Sequence, residues 1–166
     1  HTLSDEYAQA EKRVGMIADK LAGRLISKGY KALSQSDNAL ITENTFDFAT
    51  KTSVLPHKTI AVLSGTGYIG KNNLFITAEY GAAQCLGTVL TNAPLSIMEH
   101  EIKSSQCGNC NICRDVCPQK ALNGVVWNMN VSRDEIVNVY ECVTCLKCLV
   151  YCPKTQAYMK RHITMK

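Results

Sequence analysis

One pattern occurs twice in this chain and limits what its second half can fold around. Cys107, Cys110, Cys113 and Cys117, followed by Pro118, recur 35 residues on as Cys142, Cys145, Cys148 and Cys152, followed by Pro153. Thiolates three residues apart can wrap three corners of an iron–sulfur cube. The fourth cysteine, carried onward by the helix after the loop, is aimed at the neighbouring cube. The spacing therefore predicts two 4Fe-4S clusters with exchanged fourth ligands. Cys107, Cys110, Cys113 and Cys152 form one set, and Cys142, Cys145, Cys148 and Cys117 the other.

Other uses of cysteine fit less well. Structural zinc takes four ligands at tetrahedral spacing, usually as two separated C-x2-C pairs, which leaves the third cysteine of each run without a role. Disulfide frameworks belong to short secreted domains, and thiols packed this densely into two identical runs are awkward to bridge.

A length of 166 residues, 46% of them hydrophobic, allows one ordinary domain plus a small appendage with a real core. The formal charge of +4 and the pI near 8.6 leave out the clusters. Each oxidised cube with four thiolates adds roughly −2, which brings the loaded chain to about neutral. The basic pI is thus no argument for nucleic-acid or membrane binding, and no long block of like charge appears. The chain opens on His1 rather than methionine, so a native N-terminus is expected to lie upstream. Nothing in it reads as a signal peptide or an apolar membrane span. Eight cysteines kept as thiolates favour a reducing cytoplasm.

Upstream of the cysteines, Ser4, Asp5 and Glu6 predict a helix N-terminus. The helix presents Tyr7, Val14, Ile17, Leu21 and Leu25 on one face and stops at Gly29. Tyr30 to Leu33 reads as a short strand, and Ser34 to Thr52 as mostly loop. Pro56 suits the first turn of a second helix running to Leu63. Leu74 to Thr77 and Gln84 to Leu90 read as a hairpin about a turn at Glu79-Tyr80-Gly81. Cys85, outside both runs, reads as a core thiol in the returning strand. Ser132 and Glu135 form a capping box, opening a short helix through Ile136, Val137 and Tyr140.

Between the second helix and that hairpin lies Gly65-Thr66-Gly67-Tyr68-Ile69-Gly70-Lys71-Asn72. It matches G-x-G-x-x-G and nearly matches a phosphate-binding loop. Both motifs need a strand before and a helix after, so that phosphate meets a helix N-terminus. Here the order is reversed, which argues against nucleotide binding.

This order of motifs, from Gly67-Tyr68-Ile69-Gly70-Lys71-Asn72 through Leu86-Gly87-Thr88-Val89-Leu90-Thr91 to the tandem cysteine runs, resembles the cobalamin-dependent epoxyqueuosine reductases. It looks most like their short relatives, which share Leu55-Pro56-His57-Lys58 and the ending Cys152-Pro153-Lys154-Thr155-Gln156. The resemblance runs from about Thr52 to Arg161. It implies an α+β chain with a partial nitroreductase-like α/β domain over 1–100, followed by a bacterial dicluster ferredoxin-like domain over 101–166. It also implies a ferredoxin- or flavodoxin-type donor protein, and electrons passing from an outer to an inner cluster and on to a corrinoid. Gly67, Tyr68, Gly70 and Lys71 would then lie on the turn beside that cofactor, where small residues let backbone approach a planar ring. A tight helix-to-strand turn is the other reading of the same glycines. Flavin is the other cofactor such folds hold, and no residue pattern here selects it.

Three departures separate the chain from the long reductases. Counting back from the glycine motif to the family's catalytic aspartate lands on Lys51, and Asp47 is the nearest acid, so no catalytic residue is assigned. The C-terminal helical repeats that hold transfer RNA are absent from this sequence, which argues against tRNA as a partner. The N-terminal part of the cofactor domain is also missing. The expected function is an iron–sulfur redox protein moving electrons through two 4Fe-4S clusters in an epoxyqueuosine reductase-like system. The alternatives are a corrinoid-dependent oxidoreductase acting on a small or tRNA-borne substrate, and a reductive activator of a corrinoid protein.

Overall fold

The computed structural model describes residues 2–163. Its first elements are α1 (Leu3–Ser27), β1 (Ala32–Ser34), α2 (Asp37–Thr42), β2 (Phe46–Asp47), β3 (Thr52–Ser53) and α3 (His57–Leu63). There follow β4 (Gly67–Ile69), β5 (Phe75–Thr77), β6 (Val89–Thr91), α4 (Ile112–Asp115), α5 (Arg133–Ile136), α6 (Lys147–Val150) and α7 (Pro153–Ile163). The mixture of helices and small antiparallel sheets is the expected α+β class. Two compact units interleave along the chain. One holds the chain up to Ile60 together with Cys85–Glu99, and the other holds Ala61–Gln84 and the chain from His100 onward. Among the described residues no helix is long and apolar enough to cross a membrane.

In the first unit, α1 is capped by Thr2 rather than by the expected Ser4. The Thr2 hydroxyl accepts from Asp5 N–H at 3.2 Å, and the Asp5 carboxylate accepts from Thr2 N–H at 2.7 Å. At the other end Gly29 has φ +88°, its N–H donating to Ile26 O and that of Tyr30 to Leu25 O, the paired bonds of a Schellman stop. The inward face of α1 also differs from expectation. Ala18 and Ala22 are buried, whereas Ile17 and Leu21 are exposed. Close approach explains this, because a Cβ on Gly87 would come within 2.7 Å of Val14 Cγ1. Gly87 leaves room for Val14, and Ala18 lies beside it on the same inward face.

Strand β1 pairs antiparallel with β6, Ala32 opposite Thr91 and Ser34 opposite Val89. Sequence reading instead paired the 84–90 stretch with 74–77. In the structure β6 closes on β1, and residues 83–88, Cys85 among them, run outside any strand. The stretch expected to be mostly loop contains α2, capped by Ser36, and the small β2–β3 hairpin. Strands of two residues leave no period to read.

In the second unit, β4 and β5 form the hairpin, with Tyr68 opposite Ile76. A Cβ on Gly67 would run into the Ile76 carbonyl oxygen, and one on Gly70 would sit 2.5 Å from Ile76 Cδ1. The hairpin itself accounts for both glycines. Its far end is clasped by α7, since Gly81 has φ +60° and a Cβ there would lie 2.5 Å from Thr155 N. The Thr155 hydroxyl, buried, accepts from Ala82 N–H at 3.1 Å. Pro153 opens α7 directly after Cys152, a position where a missing N–H costs nothing.

The cysteine runs are tied together by backbone. Leu122 bridges Val137, and Asn138 N–H donates to Ala121 O at 2.8 Å. Ser132 and Glu135 make the expected capping box, but α5 ends at Ile136 rather than continuing to Tyr140. Val137 takes extended geometry, φ −144°, to make the Leu122 bridge, and so leaves the helix.

Gly81→Ala combines left-handed backbone with a collision and should cost about 2 kcal/mol or more, lowering the thermal midpoint by several degrees. Gly23→Ala, in the exposed interior of α1 with open space around the added methyl, should instead stabilise by up to about 1 kcal/mol. Parallel thermal melts of the two variants check both signs.

Candidate functional site

The third cysteine of each run lies on a short helix, Cys113 on α4 and Cys148 on α6. The fourth, Cys117 or Cys152, leaves just beyond it. The two loops share spacing but not backbone path. The first is turned by Gly108 at φ +49°, the second by Thr144 and Leu146 at φ +50° and +59°. Burial is graded as well: Cys142 and Cys145 are exposed, Cys107, Cys110, Cys113, Cys117 and Cys148 half-buried, and Cys152 buried.

A cavity of about 80 Å³ is lined by Cys107, Cys110, Cys113 and Cys152. These are three thiols of the first run and the last thiol of the second. Cys117 is not among them; it packs with Cys113 and Cys148 against the Ala121, Leu122 and Val137 core. Burial, followed by the neighbouring Cys113, Cys142, Cys145 and Cys117, pushes the Cys148 thiol up to about 12. Burial likewise pushes Cys113 to about 11, the Arg114 N–H opposing it and Cys107, Cys110 and Cys152 adding to it. Cys113 thus feels Cys107, Cys110 and Cys152, whereas Cys148 feels Cys113 of the first run before Cys142, Cys145 and Cys117. Among the described residues no group of three or more His, Cys, Asp or Glu is placed to hold a single metal ion. The first set rings a cavity instead, and this donor chemistry suits a cluster whose irons neutralise thiolates that burial alone disfavours.

The glycine-rich turn divides its labour. Gly67 and Gly70 lie under Ile76, as described, while Tyr68 and Lys71 line the cysteine cavity. Lys71, only 5% exposed, donates from Nζ to Asn111 Oδ1 at 3.1 Å. Tyr68 is pushed up to about 12 by burial and then by Cys107 and Cys152, and its hydroxyl has no hydrogen-bond partner. Sequence reading missed Asn72 and Asn111. Asn72 is buried beside the cavity and donates from Nδ2 to Cys148 O at 3.3 Å. The signal was available, since both asparagines sit inside motifs already singled out.

Asp47, the acid nearest the family's catalytic position, is engaged in a turn. Its Oδ1 accepts from Ala49 N–H at 2.8 Å and Thr50 N–H at 3.1 Å, and these bonds, those of Thr50 foremost, hold its carboxyl below the usual range. Cys85 is half-buried, its thiol raised by burial and then by Glu11. The first unit has a separate cavity of about 410 Å³ lined by Glu11, Asp19, Gln35, Asp37 and His57 among others.

No protein-family model matches the chain. It is 32% identical over 100 residues to an epoxyqueuosine reductase of Lactococcus garvieae, covering 60% of this chain and 28% of that protein. Identity to the Pseudomonas aeruginosa epoxyqueuosine reductase is 31% over 120 residues, 72% of this chain and 28% of the relative. For the Atelocyanobacterium thalassa protein of the same name it is 42% over 71 residues, 43% and 23%. In three dimensions the chain matches the epoxyqueuosine reductase of Streptococcus thermophilus with a TM-score of 0.58 at 24% identity, over 85% of this chain and 39% of that one. The chain is thus epoxyqueuosine reductase-like and spans about a fifth to a third of the length of the curated relatives it matches.

Thiol titration provides a check. The folded-state values of Cys113 and Cys148 lie above the ordinary value of 9.0, so the stability they contribute to the metal-free chain is complete below pH 9 and is lost as pH rises towards about 11 to 12. Metal-free melts should show a falling midpoint across that window. In the same samples iodoacetamide should label the exposed Cys142 and Cys145 before Cys148.

Proposed function

We propose that this epoxyqueuosine reductase-like chain passes single electrons through two 4Fe-4S clusters as the redox part of a reductase system. The observation that carries the reading is the cavity ringed by Cys107, Cys110, Cys113 and Cys152. Three thiols from one run and the last from the other is the sharing that tandem C-x2-C-x2-C-x3-C-P runs make between two cubes. Cys142, Cys145, Cys148 and Cys117 hold the second cluster. Residues 101–166 form the ferredoxin-type part and residues 1–100 part of a nitroreductase-like domain, in a cytoplasmic protein whose reducing surroundings keep the thiols free.

When bound, such clusters supply one-electron transfer at potentials set by their surroundings. The chain's own residues hold and grade them. Exposed Cys142 and Cys145 bring the second set to the surface, where a ferredoxin- or flavodoxin-type donor can reach it. Buried Cys152, with Tyr68, Lys71 and Asn72, covers the inner side of the first set, whose other three thiols are half-buried.

The name shared by the relatives supports a second reading, that the complete system reduces epoxyqueuosine. That substrate is tRNA-borne, so transfer RNA, set aside on sequence grounds, returns as a partner of the whole system. Among the acids, Asp47 offers no proton-donor site, being held ionised by its own turn.

The cluster reading is tested by anaerobic reconstitution of single variants. Cys117→Ser should lose the cluster of the other run, leaving a reduced EPR spectrum that matches Cys145→Ser. A match to Cys110→Ser instead would contradict the exchange.

A further inference from the structure

Tyr68 carries a buried donor with no acceptor. The residue is 4% exposed, its hydroxyl is shielded from solvent, and no protein group takes its proton. Buried hydroxyls in native chains nearly always have a partner, and an orphan at a functional site implies an acceptor that binds there. Strand pairing fixes its position, since Tyr68 stands opposite Ile76 in the β4–β5 ladder and Ile76 lines the same cavity. Two of the polar side chains lining the cavity have partners of their own, and Gln106 and Lys154 line it as well. Lys71 Nζ donates to Asn111 Oδ1, and Asn72 spans Cys148 O and Leu74 N–H. The cavity that Tyr68 lines is the one ringed by Cys107, Cys110, Cys113 and Cys152, so whatever those thiols hold lies beside the unpartnered phenol.

We propose that the Tyr68 hydroxyl donates a hydrogen bond to a sulfur of the cluster held by Cys107, Cys110, Cys113 and Cys152, and thereby raises that cluster's reduction potential. The inference rests on the cluster assignment above and names a residue that tunes the potential of one of the two clusters. A donor aimed at sulfur disperses the extra negative charge of the reduced state, so it favours reduction. No comparable orphaned hydroxyl lies against the exposed loop of Cys142 and Cys145 among the described residues. The hydrogen bond therefore acts on the cluster of the first set alone, against the lowering of potential that burial imposes there. Tyr68 acts here through the cluster, as a positioning and tuning residue.

The experiment is an EPR-monitored redox titration of the reconstituted full chain, wild type against Tyr68→Phe. One of the two midpoints should fall by an amount that changes the oxidised-to-reduced ratio about tenfold, about 59 mV for a one-electron couple, while the other stays in place. In the Cys117→Ser background, the surviving cluster should be the one that shifts. Incorporating 3,5-difluorotyrosine at position 68, a stronger donor of similar shape, should move the same midpoint upward. This reads the effect even if the phenylalanine variant loads poorly. An exchangeable-proton coupling on the reduced cluster, present in wild type and missing in Tyr68→Phe, should accompany the shift. Two normally loaded clusters whose midpoints ignore both substitutions would overturn the inference and leave the cluster assignment standing. Failure of the wild type to bind any four-iron cluster would overturn both.

Discussion

The second unit depends on returning Cys152 to the first cysteine run. Thirty-five residues separate equivalent positions, yet the last thiol of the second run shares a cavity with the first three of the first. Its neighbours maintain that return. The Leu122–Val137 bridge and the Asn138–Ala121 hydrogen bond fix the span between the runs. Helix α7, starting at Pro153, is held at its first turn by Thr155 against Ala82 and by the absence of a side chain at Gly81. The β4–β5 hairpin therefore does two jobs. One end clasps the helix that delivers Cys152, and the other sends Tyr68, Lys71 and Asn72 to the cavity.

Charge explains why this arrangement suits a metal cluster. Gathering thiols while removing water holds them protonated, as the raised Cys113 and Cys148 show. Ligation of a cluster would displace those protons, which would couple cluster binding to the folding of this unit. The unit has a small apolar core of its own around Ala121, Leu122 and Val137, and much of the remaining cohesion falls to the ligands. Graded exposure, from Cys142 and Cys145 at the surface to Cys152 inside, gives the two sets different solvent contact. Such differences are among the main levers on cluster potential.

The site was far more legible in the sequence than the fold around it. Fixed cysteine spacing reflects coordination geometry, so the two proposed thiol sets follow from residue numbers alone, and the structure gathers Cys107, Cys110, Cys113 and Cys152 around one cavity. Local signals also held: Ser132 with Glu135 opens α5, and Pro56 precedes α3. What failed was long-range or decided by close packing. The pairing of β1 with β6 joins residues more than fifty apart, and nothing local in Gln84 to Leu90 distinguishes that partner from β5. The Gly67-Tyr68-Ile69 strand is hidden inside a glycine motif that looks like a ligand loop, because the glycines answer to Ile76 across the hairpin. The inward face of α1 is set by Ala18 and Ala22, which a reading weighted towards large apolar residues passes over.

Iron and acid-labile sulfide, counted per chain after anaerobic reconstitution and joined to the EPR spectrum of the fully reduced protein, test the central claim most directly. The account predicts about eight of each and a spectrum broadened by coupling between two neighbouring reduced clusters. One tightly held zinc, or four irons with an uncoupled spectrum, would contradict it.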